Sequence, residues 1–188
     1  MGPLSLLAAV LGVAAWQPEI HAASRRCGIP VAWIERVMRA ESGGRTHLGG
    51  RSIRSRARAI GLMQLMPGTW AEMRAALSLG VDPDLPADNI IAGACYLRLM
   101  HDRFGYPGLF AAYNAGPARY GAYLTGRSRL PAETINYLAK VAGAPVALAP
   151  IAPLETPVTL FAIRRDPSPV ASHEAKQDRL FAIRKGAQ

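Results

Sequence analysis

Residues 31–44 read VAWIERVMRAESGG, and this stretch predicts an amphipathic helix that ends at a glutamate. Apolar side chains recur at the spacing of three and four residues that is typical of one helix face, at Val31, Ile34, Val37 and Met38. Pro30 suits a first helical turn, and Gly43 and Gly44 supply a stop signal. Glu41 is therefore expected in the last turn, where the helix dipole disfavours a charged carboxylate.

The chain up to about residue 143 is predicted to be one mainly α domain. The pattern indicates a helical region that starts at Gly61 and continues to residue 80, followed by helices over 89–104, 108–116, 117–126 and 131–143. Residues 17–28 are assigned no element. Residues 44–59 are rich in Gly and Arg and lack an apolar stripe, so they predict a loop with one short hairpin. The three aspartates of residues 82–88 are expected to cap turns.

Both ends of the chain are predicted to lie outside this domain. Residues 1–15 are apolar, are too short to span a bilayer and suit a signal peptide cleaved before Trp16, although no Lys or Arg precedes them. Residues 144–188 begin rich in Pro and Ala and predict a flexible, disordered tail. The tail repeats LFAIRR, at 160–165, as LFAIRK, at 180–185. The repeat indicates either two docking or membrane-surface motifs, or chance.

The net charge indicates which classes of partner are expected, and the two cysteines indicate whether a disulfide can form. The formal net charge is +9, with 22 Lys and Arg against 13 Asp and Glu, which favours contact with polyanions. No zinc-finger spacing or nucleic-acid motif accompanies the arginines, so no nucleic-acid partner is expected, and no metal or cofactor is expected either. Cys27 and Cys95 allow one disulfide or two buried thiols, and the sequence leaves both open.

Four short motifs together carry a resemblance to a known family. They are AES at 40–42, GLMQLMP at 61–67, AYNAGP at 112–117 and ETINYL at 133–138. In this order and at these separations they resemble the soluble lytic transglycosylases, whose domain is helical and lysozyme-like and is related to goose-type lysozyme. The resemblance covers roughly residues 23–142, and it implies cleavage of peptidoglycan.

The resemblance implies that Glu41 is the single catalytic acid and base. Partial burial at a helix end raises a carboxyl pKa, so Glu41 is expected to be protonated near neutrality and able to donate to a glycosidic oxygen. Read without the motifs, it is an ordinary helix-end glutamate. Most glycosidases need two carboxylates, and the motifs offer no second acid. In the family, the substrate's N-acetyl group assists, and the glutamate then takes the proton of the sugar's C6 hydroxyl, leaving a 1,6-anhydro end.

The same motifs imply a set of substrate-binding residues. Gln64 is expected to bind sugar substituents, and Met63 either joins it or packs in the core. Tyr113 and Asn114 are expected to orient the acetamido sugar, with helix capping as the alternative for the asparagine. Ser55 is expected to contact the substrate near its acetamido group, with Ser52 as a substitute.

Three further residues are expected to support the site: Ser42 by holding the loop after Glu41, Gly61 by allowing close backbone approach, and Tyr137 by reaching the catalytic carboxyl. The sequence departs from the family pattern at two positions. Arg58 stands where a glycine commonly precedes Ala59, and Gly44 stands where an aromatic residue or asparagine is frequent. The second departure leaves the packing of the loop after Glu41 open.

The expected protein is therefore an exported, periplasmic and monomeric lytic transglycosylase that acts on peptidoglycan glycan strands and has no transmembrane span. Its small size and tail resemble enzymes that open the wall locally for conjugation or type IV secretion machinery, with type III secretion or flagellar use as an alternative. Two rivals remain: a goose-type muramidase that uses water as the nucleophile, and a glycan-binding assembly module with weak catalysis.

Overall fold

The computed structural model describes residues 12–142, and seven α-helices account for most of them. A short 3-10 helix at Gly12–Trp16 leads into α1 (Gln17–Cys27) and α2 (Val31–Glu41). A hairpin of β1 (His47–Leu48) and β2 (Arg51–Ser52) follows. The remaining helices are α3 (Pro67–Leu77), α4 (Pro86–Phe104), α5 (Gly108–Ala115), α6 (Pro117–Leu124) and α7 (Ala132–Val141). The predicted signal peptide up to residue 11 and the predicted tail after residue 142 lie outside the described residues.

The long helix α4 is the centre around which the other helices are arranged. It contacts α1, α3 and α5, and α5 in turn contacts α6 and α7. Residues along α4 that are fully buried include Ile90, Leu97 and Met100. Helix α2 contacts both α1 and α7, and Glu41, at its C-terminal end, interacts with Tyr137 of α7.

The hairpin predicted within residues 44–60 is present. Its strands are antiparallel, with His47 opposite Ser52 and Leu48 opposite Arg51. Gly49 and Gly50 form the connection at φ values of 57° and 78°, and paired left-handed residues give the tight turn whose twist matches a hairpin.

Two predictions about secondary structure were wrong. Residues 17–27 form a helix, α1, although the sequence analysis assigned no element to them. Ile20, Ala23 and Cys27 recur at helical spacing and are buried, and Gly28 ends the helix at φ 64°, so the signals were present. The helix expected from Gly61 begins only at Pro67, because Ile60 and Leu65 pair as an isolated bridge around a tight turn.

A disulfide joins α1 to α4. Cys27 and Cys95 are bonded across a sequence separation of 68 residues, which decides between the two alternatives that the sequence left open. The bond ties the N-terminal helix to the central one.

The N-terminal 3-10 helix is part of the packed domain. Val13 is only 6% exposed and belongs to the core, and the indole Nε1 of Trp16 donates a 2.8 Å hydrogen bond to the carbonyl oxygen of Gly44. A boundary at residue 16 therefore passes through a packed segment. No helix among residues 12–142 is long and apolar enough to cross a membrane.

Candidate active site

Glu41 ends α2, and its carboxyl is partly buried. Burial is the largest cause that raises its pKa, from 4.5 to about 7, since a charged carboxylate loses hydration there. Interaction with the Tyr137 hydroxyl lowers the pKa of Glu41, and the nearby negative charge of Glu133 raises it. At neutral pH a large fraction of the Glu41 carboxyls therefore carries a proton.

Two buried tyrosines lie beside this carboxyl. The Tyr137 hydroxyl interacts with Glu41, but it makes no hydrogen bond of regular geometry within residues 12–142. Burial and the charge of Glu41 hold the pKa of Tyr137 and of Tyr113 well above 10, so both stay neutral. The Tyr113 hydroxyl donates a 2.7 Å hydrogen bond to the carbonyl oxygen of Met63. Of these two hydroxyls, only that of Tyr137 is not already donated to another group, so it can respond when Glu41 gains or loses its proton.

The loop after Glu41 is held by one buried hydroxyl. Ser42 is 1% exposed, donates to the carbonyl oxygen of Leu62 at 2.8 Å and accepts from the backbone N–H of Gly44 at 3.1 Å. This hydroxyl joins the Glu41 loop to the GLMQLMP turn.

Gly44 explains how this chain packs the loop without the aromatic residue or asparagine that is frequent there. It adopts φ 77°, and a Cβ at this position would lie 2.3 Å from the backbone carbon of Gly12. The 3-10 helix therefore occupies the space beside the loop, and the bond from Trp16 to the Gly44 carbonyl fastens it. A side chain at Gly44 and this N-terminal segment exclude each other.

The turn at 61–65 is positioned by Asn89, a residue that sequence analysis did not single out. Asn89 is 1% exposed; its Oδ1 accepts the N–H of Met63 at 2.8 Å, and its Nδ2 donates to the carbonyls of Ile60 and Pro83. Gly61 adopts φ 73°, and a Cβ there would lie 2.5 Å from Asn89, so the close approach expected of this glycine is to Asn89. Asn89 was only the first residue of a predicted helix, and its partners lie up to 29 residues away, so no local pattern indicated this role.

Met63 and Gln64, although adjacent in sequence, lie in different environments. Met63 is fully buried and packs against Gly93, as in the core-packing alternative. Gln64 is partly buried at φ 46°, and its Nε2 donates to the Gly61 carbonyl at 2.7 Å. That bond fixes the amide and leaves its oxygen as a hydrogen-bond acceptor.

Asn114, at the end of α5, is held by a residue from α7. The Thr134 hydroxyl, on a residue that is 1% exposed, donates to Oδ1 of Asn114 at 2.8 Å. With its oxygen engaged, the amide of Asn114 has its N–H groups left to donate, which suits a carbonyl acceptor. The spacing of the motifs gave no sign of this pair.

Ser55 and Ser52 lie in the segment after the hairpin turn, and both make local contacts. The Ser55 hydroxyl accepts the N–H of Ala59 at 3.0 Å, and its residue is exposed. The Asp84 carboxylate accepts two hydrogen bonds from the Arg54 guanidinium, at 2.6 and 2.7 Å. The Ser52 hydroxyl also interacts with this carboxylate and helps to lower its pKa. This pairing anchors the hairpin region to the connection before α4, whereas Asp82 and Asp88 accept backbone N–H groups there, as expected of capping residues.

Arg58 shows why a glycine is common at its position, because its φ is 69°, a value in the left-handed region that favours a residue without a Cβ.

One expectation about the acids of the site needs correction. Glu133, in ETINYL, lies near enough to Glu41 to raise its pKa, although the sequence analysis found no second acid in the motifs. Its residue is exposed.

Comparison of the sequence and the fold with known proteins identifies the family of this chain. A family model described as the transglycosylase SLT domain matches residues 18–136, which is more than half of the chain. The chain belongs to the transglycosylase SLT family. The SLT domain is 33% identical over 106 residues to the soluble lytic murein transglycosylase of Escherichia coli K12, covering 51% of this chain and 15% of that protein. A relative of the same description from Salmonella typhimurium is 38% identical over 82 residues, covering 38% and 12%.

Solved structures show the same fold. An inactive mutant of the lytic transglycosylase Slt from Pseudomonas aeruginosa matches with a TM-score of 0.57 and 29% identity, over 70% of this chain and 24% of that one. The 70 kDa soluble lytic transglycosylase of Escherichia coli matches with a TM-score of 0.53 and 27% identity, over 68% and 22%. These matches confirm the expected helical, lysozyme-like fold of the SLT domain. The chain spans about a quarter or less of the length of these relatives.

Proposed function

We propose that this SLT domain cleaves the linkage between MurNAc and GlcNAc in peptidoglycan and leaves 1,6-anhydro ends. The observation that carries the proposal is the environment of Glu41, a partly buried carboxyl whose pKa is raised to about 7. An acid with a pKa near the working pH can both give and take a proton in one cycle.

In the proposed reaction, protonated Glu41 donates its proton to the glycosidic oxygen while the bond to C1 of the muramic acid breaks. The substrate's N-acetyl group stabilises the positive charge at C1, in place of a second carboxylate. The Glu41 carboxylate then accepts the proton of the C6 hydroxyl as that oxygen bonds to C1. Water is not consumed, and the acid is restored. Tyr137 can donate a hydrogen bond to the carboxylate during its charged interval.

The substrate contacts are proposed from the groups that the fold leaves available. Asn114 presents N–H donors to a carbonyl such as that of an acetamido group, and Gln64 presents an amide oxygen. Ser55, exposed beyond the hairpin, is proposed to contact the same strand. Met63 and Tyr113 are proposed to act through the turn that they build, since the Tyr113 hydroxyl is bonded to the Met63 carbonyl.

The experiment is mass spectrometry of the muropeptides released from purified sacculi. The wild type and Glu72→Gln, a control at an exposed glutamate of α3, are expected to release 1,6-anhydromuropeptides, and folded Glu41→Gln is expected to release none. Products with reducing ends would replace this proposal with hydrolysis by the muramidase route. Absence of products from the folded wild type would favour the glycan-binding module.

We further propose that the protein is exported and acts in the periplasm, where its proposed substrate lies. The disulfide between Cys27 and Cys95 supports this, since such bonds persist in oxidising compartments. Val13 is in the core, which favours processing upstream of Val13 over cleavage before Trp16. The intact mass of the protein recovered from the periplasm distinguishes the two sites.

A finer proposal is that cutting opens the wall locally for a conjugation or type IV secretion channel. Its support is the repeated LFAIRR and LFAIRK motifs, which lie outside the described residues. Deletion of the protein is expected to lower conjugation frequency. Restoration by the wild type but not by Glu41→Gln would fit the proposal, and full restoration by the inactive variant would contradict it.

A further inference from the structure

An open cavity lined by cations lies between α2 and α7, on the side of α2 that faces away from Glu41, and takes no part in the chemistry proposed above. It has a volume of about 310 Å³ and is lined by Arg36, Arg39, Ala40 and Lys140. Three of the four lining residues are positively charged, and none is acidic. Such a volume is at the small end of ligand sites and large enough for the charged end of a peptide.

Two helices bring these cations together. Arg36, Arg39 and Ala40 occupy one face of α2, in the two turns that lead to Glu41. Lys140 follows Tyr137 by one turn on α7, the helix that packs against α2. The cavity is therefore built by the same two helices that hold the catalytic carboxyl and the tyrosine beside it.

The cations are available for a ligand. Among residues 12–142 no carboxylate forms an ion pair with Arg36, Arg39 or Lys140, whereas Arg54 and Arg98 each have an aspartate partner. Nη1 of Arg36 donates a hydrogen bond to the carbonyl oxygen of Val141 at 3.5 Å. This bond orients the guanidinium and leaves its other N–H groups as donors.

Basic residues in the last turns of helices also occur without any ligand, because they complement the helix dipole. That effect accounts for a cation at each helix end taken singly. It does not account for three of them converging from two helices around one cavity with no acid in its lining.

We propose that this cavity binds a carboxylate of the peptide stem carried by the muramic acid residue that is cleaved at Glu41. The inference rests on the proposed function. The glycan backbone is otherwise neutral, and the free carboxylates of a peptidoglycan strand are in its peptide stems. The stem starts from the muramic acid ring and is several residues long, so the stem of a strand placed for cleavage at Glu41 can pass the C-terminal end of α2 and reach this cavity. The cavity makes the enzyme selective for strands with charged stems.

The test compares soluble glycan strands with native stems and the same strands after their stem carboxylates are converted to amides. The variants are Arg39→Gln and Lys140→Gln, with Arg25→Gln as the matched control, since Arg25 is exposed on α1 and does not line the cavity. Partly exposed ion pairs contribute up to about 1 kcal/mol each, which corresponds to about five-fold in affinity.

We expect each cavity variant to raise KM on native strands by about three- to five-fold, with kcat unchanged. On amidated strands the variants and the wild type are expected to be alike, and Arg25→Gln is expected to match the wild type on both. Equal KM of the wild type on native and amidated strands would overturn the proposal, and so would a variant effect of the same size on both.

Binding to folded Glu41→Gln protein keeps this test separate from the proposed activity. Anisotropy of fluorescently labelled strands is measured with Glu41→Gln alone and combined with Lys140→Gln. A preference for native over amidated strands that Lys140→Gln removes supports the cavity even if the wild type forms no anhydro product. No preference in the Glu41→Gln protein would reject the cavity even if the enzyme is active.

Discussion

Replacing Glu41 by glutamine is expected to make the folded protein more stable at neutral and alkaline pH. The folded state binds the Glu41 proton more tightly than the unfolded chain, because the pKa is raised from 4.5 to about 7. Stability therefore falls as pH rises from about 4.5 to about 7, since ionisation is easier in the unfolded chain. Glutamine, a neutral isostere of the protonated acid, has no such loss.

The magnitude follows from the size of the shift. At about 1.4 kcal/mol per pKa unit, a shift from 4.5 to about 7 corresponds to roughly 3 kcal/mol. Wild type and Glu41→Gln should be similar in stability near pH 4, and the variant should gain over the wild type through the window up to pH 7. Above that the difference should stay constant.

The measurement is urea unfolding followed by circular dichroism between pH 4 and 8. Glu72→Gln, the exposed control, should follow the wild type within about 0.5 kcal/mol at every pH. If the difference between Glu41→Gln and wild type is the same at pH 4 and pH 8, burial does not raise the pKa of this carboxyl. The account of Glu41 as a neutral proton donor would then be wrong.

Three further predictions test contacts that hold the site and the domain together. Thr134→Val removes the donor to Asn114 and is expected to raise KM for glycan strands about five-fold, whereas Thr134→Ser should retain activity; equal KM for Val and wild type would show that the bond does not position the amide. Asn89→Ala leaves buried backbone groups without partners and should lower the free energy of unfolding by about 3 kcal/mol, measured by urea titration, and a change below 1 kcal/mol would contradict this. Cys27→Ser with Cys95→Ser should lower it by about 4 kcal/mol, given the 68-residue separation, and reductant should then destabilise the wild type but not this variant.

The sequence predicted the helix that carries Glu41 because each local signal agreed with the fold. The apolar spacing of α2 and the glycines after it gave its bounds to within a residue of the observed Val31–Glu41. The hairpin was predicted because residues 44–59 are rich in Gly and Arg and lack an apolar stripe, and Gly49 and Gly50 form its turn. In such segments the preferences of neighbouring residues coincide with what the tertiary structure requires.

The sequence failed where a distant contact decides the local conformation. The turn at 61–65 reads as the start of a helix, but Asn89, on another helix, takes the Met63 N–H out of helical bonding. Gly44 likewise has a meaning only beside the backbone of Gly12, which no local pattern reveals. Thr134 could have been considered from its place in ETINYL, but only the structure shows that its hydroxyl reaches Asn114.

A proton donor and a cluster of cations on one helix have opposite electrostatic requirements, and the geometry of α2 separates them. A cation facing Glu41 would stabilise the carboxylate and lower its pKa, leaving too little of the acid form. Successive residues of a helix are rotated by about 100°, so Arg39, two residues before Glu41, lies on roughly the opposite side of α2. Accordingly, the pKa of Glu41 is set by burial, Tyr137 and Glu133 and not by the cations of the cavity. One helix can thus keep its acid protonated while its other side attracts an anionic part of the same substrate.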